Sequence, residues 1–236
     1  MKIGIFGDSF ASKVKKNNTI SWYEILKQQH TVDVFGFDGY SLYQSLKEIK
    51  QLHANYDKII LTVTNPGRIH IPSNSFLTEI NTFSLPSVET IDYILKTNLN
   101  LKNFCSESSK NKITTILESV KHYYIHIQDI EYETYLHSLM LNDLISIRDD
   151  IILIPSFSTS FPKIPNIMSM FDIFQKENVA WDIKDQYARL DLRNCHLTEE
   201  NNIIFGQQVL DCINSTKLEI NLDNFVTPTN KEFYII

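Results

Sequence analysis

The chain has 236 residues, 43% hydrophobic and 21% charged, an ordinary globular composition with enough length to bury a full core. Its 28 acidic and 22 basic residues give a formal net charge of -6, and there is no long Lys/Arg run, which argues against nucleic acid or an anionic membrane as the main partner. The short basic patch Lys13-Val14-Lys15-Lys16 reads as a solvated loop. No apolar window approaches a membrane-spanning length, and the single lysine before the first apolar run lacks the features of a secretory signal. Cys105, Cys195 and Cys212 are odd in number, widely spaced and without a CxxC, so thiols in a reducing, cytoplasmic compartment are expected.

In chain order, residues 2–6 form an apolar run that reads as a first strand. Residues 19–29 carry Ile20, Tyr23, Ile25 and Leu26 at helical spacing, and residues 31–35 alternate as a second strand. Residues 41–53 place Leu42, Leu46, Ile49 and Leu52 on one helical face, and 58–63 is a continuous apolar run, the pattern of a strand buried on both faces. Residues 66–111 are polar, with Pro72 and Pro86, and read as loop with a short helix over 88–96. A helical stretch over 112–147 is expected to break near 122–127, and a fourth strand over 150–154 stops at Pro155. Further helices are expected over 165–177 and 198–214, the latter with Thr198 as N-cap and Glu199 and Glu200 in its first turn. The tail over 218–236 has no assignable element. Alternating strands and helices predict one domain over 1–236, a three-layer α/β/α sandwich on a flavodoxin-like parallel sheet, with a mainly helical insertion over roughly 66–147.

Ligands in such sheets bind at the carboxyl ends of the strands. The first strand ends in Gly7-Asp8-Ser9, where a glycine permits a sharp turn and a serine is delivered to the sheet edge; a helix N-cap is the plainer reading of that serine. After the second strand comes Gly36-Phe37-Asp38-Gly39-Tyr40-Ser41, where Gly39 can present a bare N–H or simply make a turn. After the third comes Thr64-Asn65-Pro66-Gly67-Arg68, putting an amide at the lip of the sheet in what is otherwise an ordinary turn pair. His196 precedes the last helix in Asp191-Leu192-Arg193-Asn194-Cys195-His196. Cys195 is read as packing. His122 and His126, four apart, lack a third ligand and the glutamate of HExxH, so no metal is expected. Gly4-x-x-Gly7 is not a dinucleotide fingerprint.

On Gly7-Asp8-Ser9, Gly39, Asn65 and His196, in that order and at roughly that spacing, the chain resembles the SGNH hydrolases, also called GDSL-type esterases and lipases. The resemblance implies Ser9 as nucleophile and one oxyanion donor, Gly39 N–H and the Asn65 amide as further donors, and His196 as general base, with no cofactor. Two positions depart from the family pattern. Only the asparagine of a Gly-x-Asn-Asp block is present, and Arg193 stands three residues before His196 where an aspartate is usual. Asp191, five before, faces the same side of an extended segment and can serve as the orienting acid; otherwise a backbone carbonyl orients a Ser-His dyad. Arg68 and Arg193 either pair with Asp8 or Asp191, or bind an anionic group of the substrate. The expected activity is hydrolysis of a small acyl ester, such as an O-acetyl group on a carbohydrate, through an acyl-enzyme. Transfer of the acyl group to a sugar hydroxyl is a close variant, and a non-catalytic module binding glycan or protein is the alternative class. Nothing in the sequence fixes the oligomeric state.

Overall fold

Ile3, Ile5 and Phe6, residues 59–63 and residues 151–154 are apolar on both faces of the pleat, so each of these strands needs a helical layer on either side. The computed structural model describes residues 1–12, 20–37, 39–70, 84–85, 88–97, 107–156, 197, 199–215 and 220–226. Along the chain it contains β1 (Lys2–Ser12), α1 (Trp22–Leu26), β2 (Thr31–Gly36), α2 (Leu42–Leu52), β3 (Lys58–Val63), β4 (Ile69–His70) and β5 (Ser84–Leu85). There follow α3 (Val88–Thr97), α4 (Glu107–His126), α5 (Ile130–Ile147), β6 (Ile152–Pro155) and α6 (Glu199–Ser215).

The main sheet is wholly parallel, in the order β2-β1-β3-β6. Its two faces sort residues by parity. Ile3, Ile5, Ile60, Ile152 and Ile154 pack against Trp22, Leu26, Phe205 and Val209 of α1 and α6. Phe6, Ile59, Leu61, Val63 and Leu153 pack on the other side against Leu42, Leu46 and Ile49 of α2 and Leu141 and Leu144 of α5. The fold is therefore the expected three-layer α/β/α sandwich. Burying one such Ile, Leu or Phe completely is worth about 1.5–3 kcal/mol, so these paired faces dominate what holds the layers together. A satellite core of Ile91, Ile113 and Leu117 joins α3 to α4 within the insertion. Among the described residues no helix is long and apolar enough to cross a membrane.

Several boundaries differ from the expectation. β1 continues past Phe6 to Ser12, because its pairing with β2 is interrupted after Gly7↔Gly36 and resumes at Ser12↔Gly36. Residues 8–11 are thus an excursion from the ladder. α1 is shorter than 19–29: Ser21 is its N-cap, and the chain leaves the helix at Lys27. Asp150 is not in the strand; it holds the Arg148 guanidinium through both carboxylate oxygens, while Arg148 also donates to the carbonyls of His53, Tyr56 and Asp57. Pro155 closes β6 rather than stopping short of it. The insertion's helical break falls at 127–129, where Asp129 accepts the N–H groups of Glu131 and Tyr132 as N-cap. The helix expected over 165–177 lies outside the described residues.

Candidate active site

In the order β2-β1-β3, the strand carrying Ser9 lies between the two strands whose following loops carry Gly39 and Asn65. The chain visits β2 on one side of β1 and then β3 on the other, and such a switch point opens a crevice at the carboxyl ends of the strands. Ser9, Gly39 and Asn65 all lie at that edge of the sheet, brought there from three separate segments.

Ser9 is half-buried in the excursion of β1 and caps no helix. Its turn is built by Asp8, whose side chain is almost wholly buried, at 1% exposure. Asp8 Oδ1 accepts the Phe10 N–H at 3.2 Å, the Thr62 hydroxyl at 3.1 Å and the Ser156 hydroxyl at 3.2 Å, tying β1 to the ends of β3 and β6. Gly7 takes a φ of 144° so that the chain can leave the ladder; a Cβ there would come within 1.9 Å of Thr62 Oγ1. On the far side, the Ser12 hydroxyl donates to the Ser9 carbonyl at 3.1 Å, and Trp22 Nε1 donates to the Phe10 carbonyl at 2.8 Å. The backbone around Ser9 is therefore held by β3, the residue after β6, β1 itself and α1.

The loop after β2 starts with the Phe37 N–H on the Gly7 carbonyl at 3.2 Å and closes with the Tyr40 N–H on the Phe37 carbonyl at 3.1 Å. Gly39 has a φ of 81°, the left-handed conformation that favours glycine. Tyr40 then donates to Glu48 of α2 at 3.3 Å, and burial beside that carboxylate pushes its hydroxyl up to about 12.

The loop after β3 is a tight turn. Asn65 Oδ1 accepts the Gly67 N–H at 2.8 Å and the Asn65 carbonyl accepts the Arg68 N–H at 3.2 Å. With the amide oxygen so committed, the group left to donate is Nδ2, which carries two N–H donors. Arg68 is partly buried with its Nε shielded from solvent; burial lowers its pKa, and the Asp8 carboxylate and Tyr124 hydroxyl act in the opposite direction.

Two features escaped the sequence reading. The Asp8 hub is foreshadowed by Thr62, a polar residue inside an apolar strand, and by Ser156 just past Pro155. The second is a hydrogen bond of 3.1 Å between Ser41 Oγ and His70 Nδ1, which joins the loop after β2 to the loop after β3. Ser41 is 3% exposed and accepts the Gln44 N–H as N-cap of α2; its hydroxyl keeps both its proton and a second lone pair for His70 Nδ1, so the ring's tautomer sets which of the two donates. Burial and Lys47 lower the His70 pKa, in the direction of the neutral ring. No sequence signal marked His70, which falls in the stretch read as loop.

His196, Asp191 and Arg193 lie outside the described residues, as do Cys105 and Cys195. Leu197, which follows His196, is buried in the cluster that contains Phe10, which follows Ser9. Glu199, at the start of α6, accepts the Ile20 N–H at 3.2 Å. His122 and His126 stack at 5.7 Å on α4, and no group of three or more potential metal ligands occurs among the described residues. No family model matches the sequence, and neither does any curated protein.

Proposed function

We propose that the chain is a serine esterase of the SGNH type that cleaves a small acyl ester, such as an O-acetyl group on a carbohydrate, through an acyl-enzyme. The observation that carries this reading is the convergence of Ser9, Gly39 and Asn65 at one switch point, with the Asn65 amide oxygen committed to the Gly67 N–H and its Nδ2 left to donate. In the reaction, Ser9 Oγ attacks the ester carbonyl while its proton passes to His196. The oxyanion is held by the Ser9 and Gly39 N–H groups and Asn65 Nδ2. Each such donor contributes roughly 3 kcal/mol to the barrier lowering. The imidazolium then protonates the leaving alkoxide, and water repeats the sequence in reverse to release the acid; a sugar hydroxyl in place of water gives acyl transfer. Asp191 is the candidate orienting acid.

Arg193, where the family carries an aspartate, favours a second reading: a module that keeps the pocket for binding glycan or protein without turnover. Labelling with a fluorophosphonate probe and assay on p-nitrophenyl acetate, for wild type, Ser9→Ala and His196→Ala, separate the two. Hydrolysis and labelling lost in both variants support the esterase. A wild type that neither labels nor turns over leaves the binding module.

A further inference from the structure

Gly67 stands between two sets of hydrogen bonds. Its N–H goes to Asn65 Oδ1 at 2.8 Å, and its carbonyl receives the Tyr124 hydroxyl at 3.0 Å and Gln128 Nε2 at 3.1 Å. Tyr124 Oη also accepts the Ile69 N–H at 3.4 Å, so one side chain of α4 grips the β3–β4 loop on both sides of Arg68. The buttress is itself braced, since Glu133 of α5 accepts Gln128 Nε2 at 3.0 Å and the Tyr123 hydroxyl at 3.0 Å. The fit is close: a Cβ on Gly67 would lie 3.1 Å from Gln128 Nε2 and 3.1 Å from Ile130 Cδ1. These polar contacts sit at and just beyond the end of α4, while the helix is packed independently through Ile113 and Leu117.

We propose that Tyr124 and Gln128 are positioning residues for the Asn65 amide, acting through Gly67 to fix where its Nδ2 hydrogens point. The catalytic part of this inference rests on the esterase reading above. The insertion then has a defined duty at the site. An oxyanion donor works only when its N–H meets the developing charge at hydrogen-bond distance, so a small rotation of the Asn65 amide is felt in the transition state and not in ground-state binding. Tyr124→Phe keeps the ring in its packing and removes only the hydroxyl. Gln128→Leu removes the second donor.

The test has two readouts. On p-nitrophenyl acetate, Tyr124→Phe is expected to lower kcat about tenfold with KM within about twofold, and to change kcat less than about twofold in an Asn65→Ala background, because the two act on one donor. Equal losses in both backgrounds mean a general structural role and overturn the proposal. Independently of turnover, the Asn65 side-chain NH2 signals in ¹⁵N-labelled protein, assigned by their absence in Asn65→Ala, are expected to shift in Tyr124→Phe and in Gln128→Leu. Signals unmoved in both variants overturn the proposal whatever the kinetics. If Ser9→Ala retains wild-type turnover while those signals do shift, the esterase reading fails and the positioning stands.

Discussion

Replacing Asp8 by alanine removes the acceptor that three donors share: the Phe10 N–H and the hydroxyls of Thr62 and Ser156. The two hydroxyls can rotate, but the backbone N–H cannot, and a buried donor left unmet costs about 1–3 kcal/mol. Bonds to a charged acceptor are worth about 1.5–3 kcal/mol each when formed, so the rotated hydroxyls still lose about 1 kcal/mol apiece. The total for Asp8→Ala is about 4 kcal/mol. Asp8→Asn keeps an oxygen at the Oδ1 position and gives up charge assistance, for a loss of about 2 kcal/mol. Urea denaturation read by far-UV circular dichroism gives these values from the midpoint and slope. An Asp8→Ala protein within 1 kcal/mol of wild type would refute the hub.

Burial holds the His137 imidazole of α5 down at about 4, whereas a histidine in the unfolded chain titrates near 6.5. Between those values the unfolded state binds a proton that the folded state does not. Stability is therefore full above about pH 6.5 and falls by about 3 kcal/mol as the pH drops to about 4. His137→Gln is expected to flatten that slope in urea midpoints taken from pH 7 to 4, and an unchanged slope would count against it. Ser41→Ala removes both the α2 cap and the bond to His70 Nδ1, for a loss of about 1–2 kcal/mol. Faster amide exchange confined to the first turn of α2, measured at residues 43–45, checks it; unaltered exchange would sink the capping role.

The sheet was legible because its strands obey the simplest rule. The run over 58–63 is apolar but for Lys58 at its start and Thr62, and β3 occupies those bounds because Asp57 and the turn at Asn65 bracket it. Helices α2 and α6 were readable from one apolar face each. The extension of β1 was not, since Gly7-Asp8-Ser9 has the local chemistry of a turn, and only the resumed pairing of Ser12 with Gly36 makes it strand. The two-residue strands β4 and β5 carry no periodicity at all; they exist because Ile69 and Leu85 meet across an antiparallel pair. Of the candidate site, the positions at strand ends were legible from the order of motifs. What fixes them was not. Asp8, Tyr124 and Gln128 act over separations of 54 to 148 residues, and no local pattern reports such contacts.

The bond between the Ser156 hydroxyl and Asp8 spans 148 residues, and Ser156 is docked beside β3 by its own N–H on the Val63 carbonyl at 2.9 Å. Closing so long a loop is entropically late, and contacts of high sequence separation form slowly. During synthesis the segment bearing Ser9 emerges first, yet its turn lacks one of its three ties until β6 has followed the whole insertion out and docked beside β3. The turn around Ser9 is thus fully tied only after β6 is in place, so a chain ending before β6 would carry that turn without its link to Ser156.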